Sequence, residues 1–168
     1  MDTLEAIQKR RSVRAYTGEP IPPQALEKIL KAAQMAPSGY NRQPWHFIVI
    51  TDRATIQHLS KGGDWWAQSG AMIAVVMDPS SGFWVEDGSA AIENMLLAAT
   101  ALGYGSCWLQ GSTKPHEAEF KLLLNIPEHL SLLSLVSIGV PVDWPQPKDK
   151  KPLEAIVHQE TFKNKHEH

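Results

Sequence analysis

Along the first part of the chain, apolar positions recur with the period of a helix. In "TLEAIQK", Leu4 and Ile7 give one apolar edge, and Asp2 three residues before Glu5 has the pattern of a capping box. A short helix is therefore expected to run out near Arg10. In "EPIPPQALEKILKAAQMAP" prolines lead in, and Leu26, Ile29, Leu30 and Ala33 recur at i, i+3, i+4 and i+7. Pro37 should end this second helix, because it disfavours helical geometry at Ala36. The period then changes. "HFIVIT" (46–51) and "AMIAVVMD" (71–78) are short continuous apolar runs and predict buried strands. A short helical piece and the pair Trp65-Trp66 lie between them. From about Asp87 to Leu102 the chain is apolar on most of a helix circumference, as in a central helix, with Gly103 placed to cap it. "GSCWLQG" (105–111) predicts a strand, "HEAEFKLLLN" a helix, and "LSLLSLVSIGVP" a long buried strand. Beyond Pro141, "PVDWPQPKDKKP" cannot continue a central strand, and the polar tail from about residue 158 is expected to be extended or frayed. The order αα-β-α-β-α-β-α-β predicts one domain over 1–168, mixed α/β in three layers.

Composition narrows this picture by exclusion. Hydrophobic residues make up 43% and charged ones 20%, values typical of a globular chain. A formal net charge of −2 argues against a nucleic-acid protein built on a broad basic face. Cys107 is the single cysteine, so no intramolecular disulfide forms, which fits a reducing compartment. The N-terminus has no apolar signal region, and no run reaches the roughly 18 apolar residues of a membrane span. A cytoplasmic protein without a membrane partner is expected. No G-x-G-x-x-G joins a strand to a helix, and no phosphate loop, H-E-x-x-H zinc motif or nucleophile elbow occurs. The terminal "HEH" is a common composition for an exposed tail and is not read as a metal site. The six tryptophans are scattered without period, and most such residues fill cores.

Two stretches are unusual. "KRRSVR" packs Arg10, Arg11 and Arg14 with Lys9 around Ser12. Forked guanidiniums beside a hydroxyl suit a phosphate or another localised anion. Cations at a helix C-terminus also complement its dipole, and by composition alone that solvated helix end is the favoured reading. "APSGYNRQPW" (36–45) has the residues of a turn, yet also carries Arg42, Gln43 and Trp45.

Taken together, an Arg-rich helix end and then A-P-S-x-x-N-x-Q-P-W running into H-F-I-V-I resemble the nitroreductase family of flavin mononucleotide (FMN) oxidoreductases. "DGSAAIENMLLAATALGYGSCW", "SIGVP" and a proline-rich segment with lysines follow in the family's order, so the likeness spans about residues 3–157. It implies an α+β fold with a central, mainly antiparallel sheet flanked by helices, in an intertwined homodimer. It also implies sites at the dimer interface. Arg10, Arg11 and Ser12 would bind the phosphate and ribityl chain, completed by Lys148 and Lys150, the latter in competition with Lys151. Arg14 would face the N1/O2 edge of the flavin, where a fixed cation favours the negatively charged reduced state. Pro37, Ser38, Gly39 and Asn41 would touch the flavin of the other subunit, with Gln43 mainly holding the loop. Gln110 and Gly111 would bring a backbone N–H to flavin N5. No side chain need be catalytic, since the cofactor carries the chemistry. The resemblance implies hydride transfer from NADH or NADPH and ping-pong reduction of small, flat, electron-poor acceptors such as nitroaromatics or quinones. It leaves open oxygen-dependent flavin cleavage, dehalogenation, and a non-catalytic flavin store or sensor. The chain lacks the insert of the longer members, so a more open pocket is expected. Glu93 stands where glutamine is frequent, and the polar contact to the flavin pyrimidine near Trp65-Trp66 has no assigned residue.

Overall fold

The computed structural model describes residues 1–62 and 64–162. Its helices begin and end where local chemistry dictates. Helix α1 (Thr3–Lys9) starts at Asp2, whose carboxylate accepts the Glu5 N–H at 2.8 Å. Helix α2 (Pro23–Gln34) opens on a proline, where no N–H is missed, and buries Leu26, Ile29 and Ala33. Strand β1 (Trp45–Ile50), helix α3 (Arg53–Leu59) and strand β2 (Ala71–Met77) follow. Helix α4 (Trp84–Ala101) starts three residues before the expected Asp87, because Phe83 already accepts the Asp87 N–H. It ends in a Schellman motif. Gly103 takes a φ of +85°, its N–H donates to Thr100 O at 3.0 Å, and the Tyr104 N–H donates to Ala99 O at 2.9 Å.

Strand β3 (Gly105–Trp108), the one-turn helix α5 (Gln110–Thr113), helix α6 (Glu117–Leu123) and strand β4 (Ser131–Gly139) complete the frame. The strands form an antiparallel sheet in the order β1-β2-β4-β3. Buried on both faces, β2 divides its side chains between two cores. Ala71, Ile73, Val75 and Met77 pack with α2 and α4, while Met72, Ala74 and Val76 pack with Ile56, Leu59, Trp66 and Phe120. The three layers are helices, sheet and helices.

Two strand expectations change. The run 46–51 is not a buried strand: β1 is the sheet edge, with His46 and Val49 exposed and Phe47 and Ile48 half-buried. An apolar run does not reveal whether a second neighbour covers it. The run 105–111 does not stay extended either. The Leu109 N–H pairs with Leu135 O at 2.9 Å, and the chain then turns into α5, so Gln110 and Gly111 open a helical turn.

The segment after α1 is held against the far edge of the sheet. Ser12 bridges Ser106, the Val13 N–H donates to Ser106 O, and the Thr17 N–H donates to Val140 O. Gly105 and Gly139 face one another across β3 and β4. A Cβ on Gly105 would lie 2.7–2.8 Å from three carbons of Val13, and one on Gly139 would lie 2.5 Å from the Tyr16 ring. These two glycines make the flat trench in which Val13 and Tyr16 sit. Tyr16 is buried, its hydroxyl donates to Val13 O at 2.9 Å, and it lies 2.8 Å from Ser137 Oγ. Burial pushes its phenol well above the usual tyrosine value. Of the tail, residues 158–162 are described, with His158 and Phe162 in ring contact at 4.5 Å; residues 163–168, including the "HEH", lie outside the described residues. Among the described residues, no helix is long and apolar enough to cross a membrane.

On the second face Glu119 ties α6 to α3, with Lys61 Nζ and His58 Nε2 each 3.0 Å from Oε1. Hydrogen bonds from Lys61 and then His58 hold its carboxyl below the usual glutamate value. A depressed carboxylate contributes stability above its unfolded pKa and loses it as pH falls through the folded one. Glu119→Gln is therefore expected to lower the urea midpoint at pH 7. The gap from wild type should close as the pH falls below about 4, which parallel titrations would show.

Candidate active site

A cavity of about 540 Å³ opens between the end of α1 and the segment 145–150. Arg10, Arg11, Ser12 and Arg14 form one wall, and Lys148 and Lys150 the other; Lys151 does not reach it. Residues far apart in the chain thus converge on one concave surface with five cationic side chains. The trench at Gly105 and Gly139 puts the first wall there, since it fixes the backbone from Ser12 to Thr17.

Each arginine is restrained differently. The Arg10 Nε lies 3.5 Å from Glu93 Oε1 on α4. Arg11 turns back on α1, its Nη1 donating to Gln8 O at 2.7 Å and Arg10 O at 2.8 Å, so it caps the last carbonyls of that helix. The dipole reading of the cluster therefore holds for part of one guanidinium. The Arg11 Nε is buried without an acceptor, a donor left for something else. Arg14 is exposed; its Nη1 donates to Ser12 O at 3.3 Å, and its guanidinium carbon lies 5.5 Å from the centroid of the Trp65 ring. Behind them Cys107 is buried, and burial pushes its thiol up against the opposing pull of Arg14, Ser12 and Arg10. A thiol so held is a poor nucleophile.

The loop Pro37, Ser38, Gly39 and Asn41 does not line this cavity within its own chain. It is nonetheless held firmly. The Gly39 N–H donates to Asp87 Oδ1 at 3.0 Å, and the Gln43 N–H donates to Ser38 Oγ at 3.0 Å. Gln43 Nε2 donates to Asn41 O at 3.2 Å, the loop-holding role expected of that side chain. Tyr40, Asn41 and Gln43 have φ of 54°, 55° and 49°. Left-handed backbone at non-glycine residues costs about 1–2 kcal/mol each, and strain of this kind gathers where a surface must be presented rigidly. Gln110 and Gly111 are exposed at the start of α5, where the first backbone N–H groups have no intrahelical acceptor; they too lie outside the cavity lining. Sequence reasoning missed two partners of the cluster. Glu93 was visible as a departure, but not as the counter-ion of Arg10. Trp65 gave no local signal pointing to Arg14.

The sequence model of the nitroreductase family matches residues 7–62 and 60–140. A relative in Archaeoglobus fulgidus, named for NADH dehydrogenase/NAD(P)H nitroreductase, is 44% identical over 153 residues, covering 84% of this chain and 87% of that protein. Among solved structures, an FMN-dependent nitroreductase from Clostridium difficile is 28% identical with a TM-score of 0.85, covering 95% of this chain and 99% of that one. A nitroreductase from Bacteroides fragilis, solved with bound FMN, is 28% identical with a TM-score of 0.77, covering 94% and 97%.

The trench gives a direct test of what positions the cationic wall. Gly105→Ala must push the Val13 backbone away from β3, and overpacking of this kind costs about 1–3 kcal/mol. Gly82→Ala, where the added methyl meets nothing within 4 Å, should stay within about 0.5 kcal/mol of wild type. Urea unfolding of both variants checks the difference.

Proposed function

The chain belongs to the nitroreductase family, and from that premise we propose that it is an FMN-dependent oxidoreductase using NADH or NADPH to reduce small, flat, electron-poor acceptors. Nitroaromatics and quinones are the classes we favour. The observation that carries this reading is the cavity in which Arg10, Arg11, Ser12, Lys148 and Lys150 converge. A phosphate group near −2 charge matches that donor set, and the buried, unpaired Arg11 Nε supplies a donor with no other use among the described residues. Bound here, FMN would supply the redox chemistry, receiving hydride from the nicotinamide and passing it on, so that donor and acceptor use one site in ping-pong order.

The chain's own part is to grip and to tune. Arg10, Arg11, Ser12, Lys148 and Lys150 would hold the phosphate and ribityl chain. Arg14 would present its charge to the pyrimidine edge, and Gln110 and Gly111 would offer backbone N–H groups near N5. Burial disfavours the Cys107 thiolate, which leaves it a weak nucleophile beside this site. A buried free thiol suits a reducing compartment such as the cytoplasm.

We further propose a homodimer in which Pro37, Ser38, Gly39 and Asn41 reach the partner's site. Three features support this. The loop is tied by hydrogen bonds to Asp87 and within itself, it lies off its own chain's cavity, and α1, α2 and α4 leave a groove whose lining includes Met1, Ala6, Met35 and Leu97 beside the polar Asp2 and Asn94.

Purified protein mixed anaerobically with NADH, then NADPH, should bleach at flavin wavelengths and recover on adding a quinone. No bleaching with either donor overturns the reading. Arg10→Met is expected to weaken FMN binding alike in both oxidation states, whereas Arg14→Met should weaken mainly the reduced form. Equal effects on the reduction potential would remove that division of roles. A mixed dimer pairing an Arg10→Met, Arg14→Met subunit with a Ser38→Ala, Asn41→Ala subunit collects all damage in one site. It should regain about half the wild-type activity, while either parent homodimer stays nearly inactive.

A further inference from the structure

We infer that Trp65 is a positioning residue for Arg14, acting as the neutral platform that holds its guanidinium at the redox end of the site. The inference rests on the reading of the cavity given under Proposed function. Among the described residues, Arg14 has no carboxylate within ion-pair distance; it is held by the Ser12 carbonyl at 3.3 Å and the Trp65 ring at 5.5 Å. The first contact is long for a hydrogen bond, which leaves the ring as a second restraint on the guanidinium. Arg10, by contrast, faces the Glu93 carboxylate.

The difference has chemical content. A carboxylate fixes an arginine but cancels its field, whereas an indole face attracts the cation through its quadrupole and leaves the net charge at +1. A cation meant to favour a developing negative charge must be fixed without being neutralised. Trp65 meets that requirement because its own ring is anchored. Trp66 is fully buried in the second core and meets Trp65 edge-on, with centroids 4.9 Å apart and planes at 71°. The restraint thus runs from the core, through Trp66 and Trp65, to Arg14. Arg42 lies over Tyr40 at the same 5.5 Å, but Tyr40 is 85% exposed on its loop and anchors nothing.

The test compares oxidised and reduced FMN affinities, from which the potential follows, in Trp65→Gln, Trp65→Phe, and Trp65→Gln combined with Arg14→Met. Trp65→Gln should weaken reduced FMN relative to oxidised by about threefold to tenfold. Tenfold in this ratio corresponds to about 30 mV for a two-electron couple. Trp65→Phe keeps a ring and should keep most of the wild-type ratio. With Arg14→Met already present, Trp65→Gln should add nothing. An unchanged ratio in Trp65→Gln overturns the inference, as does equal weakening of both oxidation states. A shift that persists with Arg14→Met also overturns it, since Trp65 would then act on the flavin directly. Should the glutamine variant fail to fold, Trp65→Leu keeps an apolar side chain over Trp66 and must give the same shift. Wild type that does not bind FMN sinks the proposed function and this role with it; wild type that binds, with unaltered variants, sinks only the role of Trp65.

Discussion

The geometry of the whole cationic wall depends on two missing side chains. Gly105 and Gly139 stand opposite each other on β3 and β4, and the space their side chains would fill is occupied by Val13 and Tyr16. Backbone bonds from Val13 and Thr17, and the buried Tyr16 hydroxyl, then lock the segment in place. Close packing is what makes this a constraint, since interiors have no slack of a methyl group. Arg10, Arg11, Ser12 and Arg14 are carried to the cavity by a segment held through apolar packing together with backbone hydrogen bonds.

Around that wall the protein distributes its partners unevenly. Glu93 on α4 faces Arg10, the α1 carbonyls occupy Arg11, and the Trp65 ring lies under Arg14. Opposite them the segment from Trp144 to Lys150 is built on Pro145 and Pro147, which stiffen it without secondary structure. Elsewhere Asp87, buried in the first turn of α4, holds the Gly39 N–H and with it a loop containing three left-handed residues. Arg11, the segment after α1 and the loop at Gly39 are thus each tied to a regular element.

What could be read from the sequence were the features with local causes. The Asp2 cap, the i, i+3, i+4, i+7 row of α2 and the Gly103 stop each depend on residues within one or two turns. The convergence of Arg10, Arg11, Ser12 and Arg14 with Lys148 and Lys150 was legible only through the family resemblance, because no spacing rule joins positions that far apart. The edge position of β1 was hidden because an apolar run looks alike with one covered face or two. The turn at Gln110 was hidden because it follows from Leu109 pairing with Leu135 across the sheet. The contact of Trp65 with Arg14 was hidden for the same reason: its partner lies in another part of the chain, and an indole face carries no motif.

The three arginines bear on how this surface behaves when nothing is bound. A free arginine carries about 2 kcal/mol of rotamer entropy, which a ligand must remove on binding. Here the carboxylate, the helix carbonyls and the indole ring have already removed part of it when the chain folds. That part of the ordering cost therefore falls on the stability of the protein, and only the remainder is left for a ligand to meet. The cationic surface is thus partly shaped before anything approaches it.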